Sequence, residues 1–326
     1  MAIRQHVEYD GQKFRGYVDL GPDIDCGDTI AKEALVFLVN VINQSLKIPI
    51  GYFLINGLNV EQKSNLVIQA LKALHEHNIN IIAMTFNGAS VNLTVCNILG
   101  CNLTPTTSFL TYFSHPMTQE KIAVFLDPCH SLKLLRNCLG NHKSIIDDKG
   151  NMIQWEYFMK LHEIQLKEGL HLANKLRTQQ VNYQKQKMKV KLAAQIFSIS
   201  VADEIDFCAN DLKYPEFADS TLTTRFIRLI NDLFDILNSM NMKQSGFKQP
   251  LHENNSSIII NKLNKSYNYC KKIIMKDNYL SQLRTTKNGL LLIQSKNHKC
   301  GVIGFMCIKS LLEIYNDLVV SQDILK

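Results

Sequence analysis

Apolar and polar positions alternate in blocks along the chain, and one block is the clearest. From Asn80 to Asn92 it reads NIIAMTFNGASVN: Ile81, Ile82, Ala83, Met84 and Thr85 run into Phe86 and then into a polar Asn-Gly turn. An apolar run closed in this way predicts a buried strand ending at a sheet edge, where functional side chains tend to sit. Ahead of it, Leu66, Val67, Ala70, Leu71 and Leu74 recur at helical spacing within Glu61–His77. That stripe predicts an amphipathic helix able to dock on a sheet. Helix followed by strand points to an α/β domain.

The flanking blocks extend the pattern. Val7 and Tyr9 alternate with polar residues, Asp10-Gly11 reads as a turn, and Phe14, Tyr17 and Val18 follow, a hairpin signature. Ala34–Ile42 and Ile48–Ile55 are apolar, β-branched and aromatic runs joined by NQSLK. They predict a second hairpin, although the first run also suits a helix. After the Asn80–Phe86 strand comes a helix from about Val91 to Leu99. Antiparallel strands, helix, strand, helix is the order of a ribonuclease-H-like domain, shared by other α/β folds.

Further on, Ile122–Leu126 predicts another buried strand, then Asp127-Pro128-Cys129-His130 and a basic amphipathic helix, Ser131–Leu139, with Lys133 and Arg136. Met152 to Ala209 reads as continuous helix with Trp155, Leu161, Ile164, Leu166, Leu170 and Leu176 in its core. Leu222–Asn238 is a helix burying Phe226, Leu229, Ile230, Leu233, Phe234 and Leu237. Gly246–Ser257 is a polar, turn-rich connection. The tail carries a basic helix (Lys271, Lys272, Lys276), a hairpin at Gly289–Ile293 and a last helix, Ile308–Val320.

Composition narrows the class. At 326 residues, 46% hydrophobic and 20% charged, the chain reads as a soluble globular protein of two or three units. A net charge of +7 permits nucleic-acid contact without demanding it. The densest cationic run, QKQKMKVK at Gln184–Lys191, is either a solvated face or a phosphate contact. The nine cysteines include no CxxC pair. Cys96/Cys101 and Cys300/Cys307 are too widely spaced for a zinc knuckle, so reduced thiols in a nuclear or cytoplasmic protein are expected. Arg4, His6 and Glu8 interrupt any signal-like start. No apolar run approaches the roughly 20 residues of a membrane span. A strand signature at the first residue leads us to expect a truncated domain.

Sequence chemistry alone leaves choices open. There is no nucleophile elbow, Walker loop, HExxH or dinucleotide fingerprint. Asp19 and Asp127 fall at strand ends, where paired acids hold Mg²⁺ for phosphodiester chemistry. The competing reading of Asp127 is a helix N-cap, with Pro128 at the first helical position. His130 is more simply a structural hydrogen-bonder.

Six phrases, in order, carry a resemblance: MAIRQHVEYDGQKFRGYVDLG, FNGASVN, FLDPCHSLKLLRN, KMKVKLAAQIFSISVAD, FADSTLTTRFIRLINDLFDILNS and GVIGFMCIKSLLEIYNDLV. Together they resemble the P-element-type, THAP-associated transposases across nearly the whole chain. The resemblance implies an α/β ribonuclease-H-like domain, here incomplete, interrupted by a largely α-helical GTP-binding insertion. Residues 1–125 correspond to the first part of the catalytic domain, 126–310 to the insertion and 311–326 to the start of the return.

The family cuts and joins DNA with three acids holding Mg²⁺. Its first acid lies in an Asp-Glu-Met phrase that would precede Met1. Its second is Asn87 here, and Lys326 stands where its third, a Glu, is expected. The resemblance thus implies a transposase homologue of the DDE type that is catalytically inactive, a pseudoenzyme of transposable-element origin. The alternative is a domesticated protein that binds GTP, DNA or both without catalysis. For the nucleotide it implies Lys189 for phosphate, Val190 and Ser198, then Phe234 for stacking on guanine, Asp235 for the base's N–H donors, and Asn238; unaided, Phe234 reads more simply as helix core, with Asp235 and Asn238 capping or solvating the helix. DNA and a second copy of the chain are the implied partners.

Overall fold

The computed structural model describes residues 1–21, 24, 26–42, 44–103, 109–146, 151–169, 175–271, 274–275, 304–305 and 307–320, with backbone only for 274–275 and 318–320. Leu170, Lys272, Lys276, the Gly289–Ile293 hairpin, Cys300 and Ser321–Lys326 lie outside the described residues. The chain forms two compact units: Met1–Asn80 with Pro116–Thr118, and Ile81–His115 with Gln119–Lys326.

In the first unit, β1 (Glu8–Tyr9) and β2 (Phe14–Arg15) pair antiparallel. Their turn is held by Asp10, whose Oδ1 accepts from the Gln12 and Lys13 amides and whose Oδ2 faces Arg15 Nε at 2.6 Å. The predicted second hairpin is β3 (Glu33–Asn40) against β4 (Lys47–Ile55). Its register slips between Phe37 and Leu38, opposite Pro49, because proline has no N–H for the ladder. The predicted helix is α1 (Val60–Glu76), opened by a reciprocal capping box between Asn59 and Gln62. Leu66, Val67, Leu71 and Leu74 of its stripe are buried. Leu20, Ile55 and Leu66 form one small core cluster, and Phe37 packs edge-on to Phe53 beside it.

The second unit holds a three-stranded sheet, β5 (Ala83–Phe86), β6 (Tyr112–Ser114) and β7 (Lys121–Leu126), ordered β5-β7-β6. The strand β7 is central and buried through Ile122 and Val124. By contrast β5 is half-buried, where the apolar run Ile81–Thr85 predicted a buried strand. It pairs on one side with β7, in parallel, and an outer strand keeps one flank less covered. From β5 the chain enters α2 (Ser90–Leu99), which ends at Gly100 in the left-handed conformation, φ 116°. After β7 comes α3 (Pro128–His142).

The stretch expected to be one continuous helix is broken. A second small sheet, β8 (Ser144–Ile146), β9 (Met152–Gln154) and β10 (Ile274–Met275), takes its first residues, ordered β10-β8-β9. Helix α4 (Glu156–Glu168) stops at Gly169, φ 65°, since a left-handed residue cannot continue an α-helix. Then come α5 (Thr178–Val181), a 3₁₀ turn at Tyr183–Gln186, α6 (Val190–Ile196) and α7 (Ile199–Asn210). Of the expected core residues, Trp155, Leu161 and Leu176 are buried, but Leu166 is 62% exposed.

The long amphipathic helix is α8 (Thr221–Leu237). Helix α9 (Glu253–Cys270) starts inside the predicted connection, so the connection proper ends at His252. Finally α10 (Ile308–Ile314) runs on into a π turn, Tyr315–Val320. It returns to the first-named sheet of this unit: Ser310 Oγ bonds the carbonyls of Thr111 (3.1 Å) and Val124 (2.8 Å).

Candidate functional site

Two positions come together at the carboxyl ends of adjacent parallel strands. Phe86 pairs with Leu126, and the Asp127 amide donates to the Phe86 carbonyl at 2.9 Å, so Asn87 and Asp127 leave the sheet side by side. Strand ends of this kind are where α/β folds place chemistry. Here both side chains are engaged locally. Asn87 Oδ1 accepts from Asn92 Nδ2 (2.8 Å) and the Ala89 amide (3.2 Å). The Asp127 carboxylate accepts from the Cys129 (2.9 Å) and His130 (3.2 Å) amides and caps α3. The cap reading of Asp127 is the one the structure shows. Burial and the charge of Lys133 hold the His130 imidazole below its ordinary value.

These donors do not fit a pair of Mg²⁺ ions. One is a neutral amide whose oxygen already takes two N–H groups, and a two-ion centre needs several carboxylates to offset the metal charge. Among the described residues, no group of three or more His, Cys, Asp or Glu is arranged for a metal. Asp19 belongs to the first unit, where its Oδ1 accepts from the Gly21 amide at 3.1 Å.

The second candidate is a cavity of about 330 Å³ where α6, α7 and α8 meet. Ser198, Phe234 and Asp235 line it, together with Lys175, Lys191 and Lys248. Ser198 is the N-cap of α7; its hydroxyl donates to the Gln195 carbonyl (2.9 Å) and lies 3.1 Å from Ser200 Oγ. The start of α7 and the ammonium groups of Lys175 and Lys191 make the cavity attractive to an anion. Phe234 and Asp235 line it from α8, with Lys248 close enough to act on the Asp235 carboxyl. Asp235 Oδ2 accepts from Asn231 Nδ2 at 3.0 Å. Burial raises the Asp235 carboxyl above its ordinary value, while Lys248 and Asn231 pull it back.

Lys189, Val190 and Asn238 are not among the lining residues. Lys189 is the exposed N-cap of α6, Val190 its first residue, and Asn238 the exposed C-cap of α8. Lys175, Lys191 and Lys248 join this cavity without a phrase that marks them for it. Lys191 sits in the cationic run and was within reach of that signal. Lys175 and Lys248 carry no local motif and meet only through the fold.

The cavity offers in its lining a hydrogen-bond-accepting acid, an aromatic ring and three ammonium groups, a set able to meet N–H donors, a flat ring and anionic groups on a ligand. Its volume is at the small end of ligand pockets, which run from about 300 to 1,000 Å³.

The fold is that of a ribonuclease-H-like domain carrying a largely helical insertion. Residues 1–100 match the TNP-like RNase H N-terminal domain, and residues 129–250 the TNP-like GTP-binding insertion domain. The chain belongs to the P-element-type transposase family. It is 27% identical over 325 residues to the human DNA transposase THAP9, covering 98% of this chain and 34% of that protein. It is 30% identical over 212 residues to the Drosophila melanogaster Transposable element P transposase, covering 62% of this chain and 25% of that protein. It spans about a third and a quarter of these relatives' lengths. The fold matches the Drosophila P element transposase strand transfer complex with a TM-score of 0.73 and 21% identity, covering 98% of this chain and 64% of that one.

Proposed function

We propose that this chain is a transposase-derived protein that binds GTP in the insertion and does not carry out the Mg²⁺-dependent DNA cleavage and strand transfer of its family. The observation that carries the nucleotide reading is the convergence of Ser198, Phe234 and Asp235 with three lysines on one cavity. Asp235 would accept from the guanine N–H donors and Phe234 would cover the ring. Lys175, Lys191 and the start of α7 would hold the phosphates, with Lys248 beside Asp235. The bound nucleotide supplies charge and a stacking surface that tie α7 to α8. In this reading residues 1–125 and 311–326 serve the ribonuclease-H-like part and 126–310 the insertion; Lys189, Val190 and Asn238 act from its rim.

A titration of the purified chain with labelled GTP, with ATP as competitor, tests this. Saturable, guanine-preferring binding is expected. Asp235→Ala should weaken it about 10- to 100-fold, the loss of a hydrogen bond to a charged group. Undiminished binding by the variant would sink the assignment.

Loss of catalysis is supported by Asn87, the position of the family's second acid, which brings no charge and whose oxygen is taken up by Asn92 and Ala89. DNA association, assembly with a second copy and residence in the nucleus accompany the reading through the relatives, which are transposases. Incubation with transposon-end DNA and Mg²⁺ should give no cleaved or joined product. Product formed by the unmodified chain overturns this part.

A further inference from the structure

A separate, more open cavity of about 680 Å³ runs along one face of α7. Asp203, Glu204, Asp206 and Phe207 line it from that helix, Asp211 from its C-cap, and Arg228 from α8. Four carboxylates face one guanidinium. Arg228 bridges Asp203 (2.5 Å) and Asp206 (2.7 Å), which leaves Asp211 and Glu204 in excess. Phe207 keeps 40% of its surface exposed, and an aromatic face beside carboxylates attracts cations.

Glu204 sets this surface apart from an ordinary acidic helix face. It is 5% exposed. Its Oε2 accepts from Gln165 Nε2 at 3.1 Å, while its buried Oε1 takes no hydrogen bond. The charge of Arg177 acts on the carboxylate without donating to that oxygen. A buried carboxylate oxygen left without a donor is unfavourable, and a ligand N–H restores the missing bond.

We propose that this groove binds an aliphatic polyamine, one ammonium group donating to Glu204 Oε1 and the others lying along Asp211 and the Arg228-bridged pair. An unbranched aminoalkyl end is the slimmest organic cation for approaching a side chain as buried as Glu204. The length agrees: Asp203 to Asp211 spans about 12 Å along the helix, which suits ammonium groups separated by short methylene runs. The site does not rest on the nucleotide reading, although Ser200 borders both cavities.

The test is calorimetric titration of the full chain with spermidine, in the absence of nucleotide. One saturable site is expected. Glu204→Gln should weaken it about tenfold, the loss of one charge-assisted hydrogen bond. Asp211→Asn, an exposed change that leaves the core alone, should weaken it several-fold. Arg228→Gln should strengthen it, because it removes the internal cation competing for the same carboxylates. The proposal is overturned if spermidine shows no saturable binding, if the three variants bind alike, or if a Lys/Arg peptide of equal charge binds more tightly than spermidine. GTP titration of Glu204→Gln, expected unchanged, keeps failure here distinct from failure of the nucleotide site.

Discussion

Asp127 illustrates how much a residue's surroundings decide. The same carboxylate at a strand end suits a metal ligand or a cap, and two backbone N–H donors settle it as a cap. Asp127→Ala should cost about 1 kcal/mol, measured by chemical denaturation, and Asp127→Asn less. Glu204 makes the complementary point. Burial raises its carboxyl from 4.5 to about 7, against the opposing pull of Arg177 and Gln165. The folded chain therefore holds that proton more tightly than the unfolded chain does. Stability from this group is full below about 4.5 and falls as pH rises towards 7. Glu204→Gln should raise the melting temperature at pH 8 and leave it nearly unchanged at pH 4.5. The thiols divide in the same way. Burial pushes Cys138, Cys270 and Cys307 up to about 12 and Cys208 to about 11. Among the described cysteines, the partly exposed Cys26 and Cys129 should label first with maleimide, read by mass spectrometry.

At the scale of elements, α3 and the Tyr183 turn show why a basic helix was only half legible. Lys133 stays partly exposed, but Arg136 is fully buried. It lies over the Tyr183 ring, 4.4 Å from its centroid, and donates to the Lys187 carbonyl at 2.9 Å. Tyr183 in turn donates to Asn141 Oδ1 at 2.9 Å and meets Trp155 edge-on. These contacts pin one end of the cationic run, while Lys185, Lys187, Lys189 and Lys191 remain exposed. Gly140 permits the packing: a Cβ there would run into the Tyr183 ring. Gly140→Ala should destabilise the chain by about 1–3 kcal/mol, with a loss of near-ultraviolet dichroism from the Trp155 cluster.

Across the whole molecule, the two units differ in how much core they hold. In the first, Leu20, Ile55 and Leu66 form one small cluster, and the β3–β4 hairpin exposes Leu38, Ile48, Ile50 and Tyr52. In the second, Ile122, Val124, Leu132, Leu139, Phe158 and Ile205 are wholly buried. Local stability follows buried apolar contact. Amides of β3 and β4 should therefore exchange hydrogen well before those of β7 and α8, as mass spectrometry of exchanged peptides would show. Equal protection in both would contradict this account.

Periodicity and turn chemistry were enough to specify most elements, because they act over a few residues. The two hairpins, α1, α2, β7, α8 and the extent of the last helix follow from apolar spacing and from residues such as Asn59 and Gly100. The ordered phrases were enough for the family. Tertiary structure decided the rest. It showed that β5 is an outer strand, that Met152–Gln154 joins a sheet rather than a helix, and that Arg136 is interior. Each depends on a partner distant in the chain: β7, Ser144–Ile146 and Tyr183. The cavity between α6, α7 and α8 divides on the same principle. Ser198, Phe234 and Asp235 sit within recognisable phrases. Lys175 and Lys248 reach the same cavity from segments with no motif, and Glu204 becomes unusual only when folding leaves one of its oxygens without a donor.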